Sequence, residues 1–452
     1  MSSDQPPLLD VLPAELVTRI FVHALPTLPE PPSPHTAPLL LTQVCREWRE
    51  IALGSPELWT HITLHDVDEK SLKMRQVWAE RAGAVPLEYS ITAKDGAGGV
   101  KMLELAREHR ARLASLHVDA PPATFFNGRI RLRTPLLVAS PTTPPFYPAL
   151  RRVHLQLDYI LSPLGDLDFR NAPALRELRV DLRIAHCAAL PAPWSQLTSL
   201  CGSRLRLPLQ TLKMCTALVE LDLSNYYLSA SDPTQSPAYE DYRALITLRQ
   251  SIRLEQLERL KLDDTSLMQY LILPRLRSLS LHSNMTLGRD VVDDLANAAT
   301  SWGCSVQHVE LVVWGSLAPM RGFLGSTLCA TLESLHLDLK WAGPTSAPRI
   351  DEDVLSLTVQ TLLDEGDGAL RRLQSIVLDL GPEPEYVDVT RSVTQLLCGR
   401  LGRGDILSGL FNIRLLVGNA SMPRKEDLAE LVAKNGFTME IYGRDGRLLF
   451  IP

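Results

Sequence analysis

The sequence predicts an α+β protein in which a small N-terminal domain of three helices is followed by an irregular α/β solenoid. Three observations lead to this prediction. Three short amphipathic segments lie within residues 12–59 of the 452-residue chain. A Leu-x-x-Leu-x-Leu pattern then recurs through most of the remaining sequence. Near the C-terminus, two runs of alternating apolar residues flank Asp445-Gly446, a pair typical of hairpin turns.

The first helix is predicted to begin at Pro13, because proline fits the first helical position, where the backbone N–H needs no partner. Leu12, Leu16 and Ile20 follow one another at four-residue intervals and form one apolar face. The proline-rich loop at 26–38 cannot continue a helix. It therefore separates the first helix from the second.

The second helix is predicted to end at Gly54, because glycine favours helix termination. Its apolar residues recur at helical spacing and are Leu41, Val44, Cys45, Trp48, Ile51 and Ala52. A short third helix has Ser55 as its N-cap and Pro56 at its first position. Leu58 and Trp59 are its apolar residues.

Taken together, three motifs in this region resemble an F-box. They are Leu-Pro-x-Glu-Leu-x-x-x-Ile-Phe from residue 12, Val-Cys-x-x-Trp-x-x-Ile-Ala from residue 44 and Ser-Pro-x-Leu-Trp from residue 55. The resemblance covers residues 8–64, and the preceding residues 1–7 are predicted to be disordered. The region is most similar to the F-box-like proteins abundant in mushroom-forming fungi, which share the proline-rich insertion between the first two helices.

The resemblance implies that the three helices bind a Skp-type adaptor within a cullin–RING ubiquitin ligase. Carried onto this sequence, the adaptor-binding residues are Leu12, Pro13, Leu16, Ile20, Val44, Trp48, Leu58 and Trp59. The residues themselves leave another interpretation open, because leucine, isoleucine and tryptophan at helical spacing also form ordinary cores. In that case the helices would cap the N-terminal edge of the solenoid.

The pattern that recurs downstream is that of a leucine-rich repeat. Its clear copies begin at Leu113, Leu150, Leu175, Leu218, Leu257, Leu276, Val306 and Leu332. In such repeats the alternate apolar residues of a short strand point into a shared core, and each repeat buries the core of its neighbour. Successive copies start 19 to 43 residues apart. The predicted leucine-rich-repeat-like solenoid, residues 65–422, is therefore irregular and contains insertions.

Strand residues between the leucines are predicted to point away from the shared core. A leucine-patterned array after an F-box again resembles the fungal family, which implies that this outer surface selects a target protein. The predicted target-binding residues are His154, Gln156, Arg179, Asp181, Asp222, Lys261, Asp263, His282, His336 and Asp338. Their mixed charges, with a net charge of −6 for the chain, favour a protein target over nucleic acid. Many of them could equally be ordinary solvated positions.

The C-terminal segment 423–452 is predicted to form a helix and a hairpin that cap the last repeat. A helical pattern over 425–435 is followed by alternating runs at 438–442 and 447–451. We expect a cap there, because an open end of a repeat array exposes core residues and a strand edge.

Several classes of functional site lack their sequence signals. The seven cysteines include no Cys-x-x-Cys pair, which argues against a structural zinc site and a disulfide framework. The hydrolase motifs Gly-x-Ser-x-Gly and His-Glu-x-x-His do not occur. The sequence therefore predicts no enzyme activity, no cofactor and no metal. It has no apolar run long enough for a membrane span and no evident secretory signal, so we expect an intracellular protein, cytoplasmic or nuclear or both.

The predicted function is that of a non-catalytic substrate-recognition adaptor of a Skp–cullin–F-box type ubiquitin ligase. The helices would bind the Skp-type adaptor and the repeats a protein target, with no nucleic acid or membrane partner. One alternative is a repeat-based protein-interaction scaffold that is not associated with a ubiquitin ligase. A further rival is an enzyme with its site in an insertion, which predicts a deep pocket with converging titratable groups.

Overall fold

The computed structural model divides the chain into two compact units, Met1–Leu207 and Pro208–Pro452, each of which contains a run of parallel strands. The structure describes residues 12–26, 32–65, 69–92, 108–120, 147–157, 169–182, 192–203, 209–223, 251–263, 265–282, 301–314, 331–340, 374–379, 412–416, 438–442 and 448–450, with the single positions 102, 105, 106, 295 and 298. None of the helices in this part of the chain is both long and apolar enough to span a bilayer.

Helices form the N-terminal part of the first unit. They are α1 (Ala14–His23), α2 (Leu41–Val44), α3 (Arg46–Gly54), a 3₁₀ helix (Pro56–Trp59) and α4 (Glu69–Arg81). The sequence predicted α2 and α3 as one helix, but Cys45 between them has an extended backbone. Its Sγ atom accepts a hydrogen bond from the N–H of Trp48 at 3.4 Å. Cys45 is therefore the exposed N-cap of α3 and not part of the predicted apolar face.

Six strands of the first unit lie side by side in chain order, and all are parallel. They are β1 (His61–His65), β2 (Leu87–Thr92), β3 (Leu113–Ala120), β4 (Arg152–Leu157), β5 (Glu177–Leu182) and β6 (Ser199–Ser203). One register row joins Ile62, Tyr89, Leu116, Val153, Leu178 and Leu200. All six of these residues are buried. The motif recurs because each apolar position packs against the same position of the next strand.

The helices of the first unit pack around a small core that joins α1 to α3. The buried Phe21 ring on α1 lies 4.8 Å from the Trp48 ring on α3, measured between centroids. The hydroxyl oxygens of Thr18 and Ser55 are 3.0 Å apart, and this hydrogen bond links α1 to the end of α3. One stripe of α1 therefore faces α3, and the opposite stripe faces outward.

The 3₁₀ helix connects the helical region to the sheet through a buried tryptophan. The Nε1–H of Trp59 donates to the backbone oxygen of Ala52 at 2.9 Å. The Trp78 ring meets the Trp59 ring edge-on at 5.1 Å, and the Arg81 guanidinium lies 4.6 Å from the Trp59 centroid. Since α4 also packs against β1 and the 3₁₀ helix, the helices and the first strand share one interior.

The described part of the second unit includes the short helix α5 (Leu209–Met214), helical residues at 295, 298 and 301–302, and eleven strands. The strands are β7 (Glu220–Leu223), β8 (Ile252–Arg253), β9 (Arg259–Leu262), β10 (Leu271–Ile272), β11 (Ser278–His282), β12 (His308–Trp314), β13 (Ser334–Lys340), β14 (Ser375–Asp379), β15 (Asn412–Leu416), β16 (Thr438–Tyr442) and β17 (Leu448–Phe450). β8 and β10 form a separate parallel pair. The others are parallel to their neighbours up to β16, and β17 is antiparallel to β16.

Short 3₁₀ segments also occur at Arg110–Arg112, Trp194–Gln196 and Thr265–Tyr270. The mixed content, with several helices near the N-terminus, confirms the predicted α+β class. β16 and β17 coincide with the residues predicted to form a hairpin, whereas the capping function and the boundaries at 64 and 422 stay predictions. The segment 1–7, predicted to be disordered, and the helix predicted over 425–435 lie outside the described residues.

Candidate protein-docking surfaces

The N-terminal helices leave several large apolar side chains in contact with solvent. Leu16, Ile20 and Val44 are 44%, 54% and 55% exposed. Among the described residues, nine large apolar side chains are exposed, and six of these lie between residues 16 and 53. A concentration of this kind is typical of a surface that another protein covers.

The eight residues predicted to bind a Skp-type adaptor fall into two groups. Six are exposed or partly exposed, namely Leu12, Pro13, Leu16, Ile20, Val44 and Trp48. Leu58 and Trp59 are only 1% and 0% exposed, so their assignment to the docking surface is corrected. They lie in the interior because Trp78 and Arg81 enclose the Trp59 indole and because the 3₁₀ helix packs against α4.

Three exposed apolar residues of the helical region were not predicted for the surface, and they are Val22, Leu40 and Leu53. The four-residue spacing that identified Leu16 and Ile20 does not include them. A signal was nevertheless available for Val22. It directly follows the buried Phe21, and adjacent helical residues point about 100° apart.

The polar face of β1–β6 carries two hydrogen-bonded clusters of charged side chains. In the first cluster, the Glu88 carboxylate lies 3.1 Å from His61 Nε2 and 2.8 Å from a terminal nitrogen of Arg152. The hydrogen bond from His61 lowers the pKa of Glu88; burial opposes this, and the charge of Arg152 adds to the lowering. Glu88 is therefore an ionised group held between two donors.

The second cluster centres on Asp181. Its Oδ2 atom lies 3.0 Å from His154 Nε2 and 2.8 Å from Arg179 Nε. Burial raises the pKa of Asp181, but the hydrogen bonds from His154 and Arg179 outweigh burial and the pKa is lowered. The His154 ring stacks on His117 with centroids 4.3 Å apart. Burial lowers the pKa of His117 and the neighbouring His154 lowers it further, so His117 is neutral at pH 7.

A groove of about 490 Å³ lies over this polar face, and two complete register rows of the sheet form its floor. The first row consists of His61, Glu88, Ser115, Arg152, Glu177 and Ser199. The second row consists of Thr63, Ser90, His117, His154, Arg179 and Cys201. The segment between α1 and α2 contributes a wall through Leu25, Pro26, Pro32, Thr36, Ala37 and Pro38. A cleft of this volume is large enough to bind part of a ligand or peptide.

The residues of the first unit that were predicted to bind a target lie on this polar face. His154 and Arg179 line the groove, and Gln156 and Asp181 share the next register row. The sequence reasoning missed His117, although it occupies the same strand position as His154 on the neighbouring strand. That shared position in the repeat pattern was the signal that could have identified it.

The polar face of the second unit carries the other predicted residues. These are Asp222, Lys261, Asp263, His282, His336 and Asp338, all partly exposed. Asp263 Oδ1 lies 3.5 Å from His282 Nδ1, and Glu310 Oε1 lies 3.6 Å from His336 Nδ1. Ser280 donates to Glu310 at 2.8 Å. The structure therefore brings Asp263 into side-chain contact with His282, and His336 into contact with Glu310. The role of the predicted residues in target binding stays a prediction.

Within the described ranges, no group of three or more His, Cys, Asp or Glu side chains is arranged to hold a metal ion. The groove of the first unit does gather titratable side chains. Among them, Glu88 forms an ion pair with Arg152, and Arg179 forms one with Asp181 beside the groove.

Comparison with known proteins identifies the helical region. Residues 9–65 match the family described as F-box-like. The match confirms the F-box resemblance and covers α1, α2, α3, the 3₁₀ helix and β1. No curated protein matches the chain. The class established by motif and fold is therefore a chain with an N-terminal F-box-like domain followed by parallel strands.

Proposed function

We propose that this chain is a non-catalytic substrate-recognition subunit of a Skp–cullin–F-box type ubiquitin ligase. F-box-like domains in general serve substrate recognition by ubiquitin ligases, and residues 9–65 match such a domain. The single observation that carries the proposal is the exposed apolar surface of that domain. Leu16, Ile20 and Val44 are its most exposed large apolar residues.

A Skp-type adaptor would cover these side chains. Full burial of an isoleucine or valine side chain contributes roughly 1.5–3 kcal/mol. Since Ile20 and Val44 are about half exposed, covering each would contribute on the order of 1 kcal/mol. A carboxylate at either position would instead be buried without a partner, which costs far more than the lost apolar contact.

The parallel strands would supply the surface that selects a target protein. We infer that they form an irregular leucine-rich-repeat-like solenoid, because each strand of the first unit pairs with the next in chain order and the apolar positions are aligned. The ligase would then act by proximity, with the chemistry on other subunits. This function needs neither a cofactor nor a nucleic acid or membrane partner, and it belongs inside the cell, in the cytoplasm or the nucleus.

Co-expression with a Skp-type adaptor from a mushroom-forming fungus tests the proposal. The wild-type chain and an Ile20→Asp/Val44→Asp double variant would each be purified through a tag on the adaptor. The matched control is Val77→Asp, because Val77 is an exposed apolar residue of α4 outside residues 9–65. Thermal melts would establish that both variants are folded.

We expect the wild type and Val77→Asp to co-purify with the adaptor. The double variant should not co-purify. If a well-folded wild type fails to bind any of several adaptors, the ligase assignment is wrong. The scaffold alternative would then account for the repeats, and the helices would serve as a cap.

A further inference from the structure

We propose that the groove between the proline-rich segment and the polar face of β1–β6 binds an extended, uncharged stretch of a target polypeptide. The identification of the occupant as a ligase target rests on the proposed function, whereas peptide binding by the groove stands on its own geometry. The proposal gives the insertion between the first two F-box helices a direct part in target recognition.

The dimensions of the floor fit an extended chain. The two register rows cross six strands, and neighbouring strands lie about 4.8 Å apart. Five intervals therefore give a floor roughly 24 Å long. An extended polypeptide covers about 3.3 Å per residue, so this floor accommodates about seven residues.

The floor carries side chains suited to backbone amides. Thr63, Ser90 and Ser115 line it with hydroxyl groups, each of which can both donate and accept a hydrogen bond. An extended segment presents N–H and C=O groups in alternation and needs partners of both kinds. Short hydroxyl side chains also leave room for the backbone to approach the sheet.

The formal charges that line the groove cancel. Arg152 and Arg179 are its two cations, and Glu88 and Glu177 are its two carboxylates. Glu88 is already bound by Arg152, and Arg179 by Asp181. A strongly charged ligand would have to compete with these pairs, whereas an uncharged segment leaves them intact.

His117 provides an unfilled hydrogen-bonding position on the floor. Its Nε2 atom is buried and has no hydrogen-bond partner in the structure, and buried polar atoms of this kind are rare. The ring is neutral and is fixed by stacking on His154, which Asp181 holds in turn. A backbone group of a bound segment would satisfy this nitrogen without introducing a charge once a small shift of the ring exposes it.

The proline-rich wall adds the apolar side of the groove. Pro26, Pro32 and Pro38 have no N–H groups that would need partners. Near the start of β1, Leu58 and Trp78 also reach the groove. Both side chains are almost fully buried, so the apolar surface of the groove comes mainly from the proline-rich wall.

The test uses the full chain and three pools of fluorescein-labelled random peptides of about ten residues, slightly longer than the floor. One pool contains no charged residues, one is enriched in Asp and Glu, and one is enriched in Lys and Arg. Bound peptide is measured by fluorescence polarisation. We expect the uncharged pool to bind best, and Ser115→Arg and His117→Phe to reduce this binding by about tenfold or more.

Matched controls separate the groove from the rest of the polar face. Ser278→Arg and His336→Phe change equivalent outward positions in the second unit, and His336 also has a buried Nε2 without a hydrogen-bond partner. For the wall, Pro32→Arg should weaken binding. Pro34→Arg, at an exposed residue of the same segment that does not line the groove, should not.

The proposal is overturned if no pool binds, if a charged pool binds better than the uncharged one, or if the groove variants and their controls behave alike. Adaptor co-purification is measured on the same proteins and should be unchanged in every groove variant. If peptide binding follows the groove while the adaptor never binds, the ligase function fails and the groove assignment stands.

Discussion

The N-terminal helices and the strands of the first unit bury their apolar residues to different extents. On the strands, apolar and polar residues alternate, and an entire register row from Ile62 to Leu200 is buried. On α1, the buried Phe21 shares a helix with Leu16 and Ile20, which face solvent. Among the described residues, the strands bury an entire apolar row, whereas the helices keep an exposed apolar surface of the kind that another protein covers.

The largest effect that would sharpen this comparison is expected at Trp59, the buried residue that joins the two regions. Trp59→Ala should lower the free energy of unfolding by about 3–5 kcal/mol, because it removes a large buried side chain and leaves a cavity. Urea unfolding followed by circular dichroism measures this change.

The control at this position is Trp59→Phe, which keeps a ring but loses the hydrogen bond to Ala52. Trp59→Phe should lower the free energy of unfolding by clearly less than Trp59→Ala does. A near-zero effect of Trp59→Ala would show that Trp59 is not in the core, and the helices would then be independent of the sheet.

A slightly smaller effect is expected on the strands, where adjacent residues face opposite sides. Leu155→Ala on β4 should cost roughly 2–5 kcal/mol, since Leu155 is buried. Gln156→Ala, one residue along, should change stability by less than about 0.5 kcal/mol. Equal effects at the two positions would contradict the alternation on which the repeat interpretation depends.

The sequence predicted the buried residues of the strands better than the residues of the adaptor-docking surface. Leucines at fixed spacing have one physical role in a parallel array, so their alternation was sufficient to place residues such as Leu155 in the core. Leucine and tryptophan on a short helix have two possible roles, and their spacing is the same in both. Leu58 and Trp59 were therefore assigned to the docking surface, although the packing of α4 buries them.

The groove could not be predicted from the sequence, for a different reason. Its wall and floor come from segments far apart in the chain, and the path of the proline-rich segment depends on tertiary packing. The local pattern shows only that 26–38 is not helical. The strand position of His117 could have identified it as a residue of the polar face. The sequence could not show that its Nε2 atom is buried without a hydrogen-bond partner.

The smallest effect concerns pH and involves the histidine stack on the strands. Burial keeps the pKa of His117 below its ordinary value, so the unfolded chain binds this proton more readily than the folded chain. The stability of the first unit should therefore fall as the pH drops from about 7 to about 5. His117→Phe should make that fall smaller, as unfolding experiments at the two pH values would reveal.

The carboxylates of Glu88 and Asp181 affect stability only at lower pH, because their pKa values are lowered in the folded chain. The stability that they contribute is lost as they become protonated. His336→Phe in the second unit is the comparison variant. An unchanged pH dependence in His117→Phe would mean that the imidazole is not kept neutral by the fold.

The most direct test of the central claim is the affinity of the purified chain for a Skp-type adaptor, measured by isothermal titration calorimetry. We predict that Ile20→Asp/Val44→Asp binds at least about 100-fold more weakly than the wild type, a loss of roughly 2.7 kcal/mol. Val77→Asp should remain within about twofold of the wild type. Equal affinities for all three proteins, or no binding by a folded wild type, would contradict the assignment of this apolar surface to the adaptor.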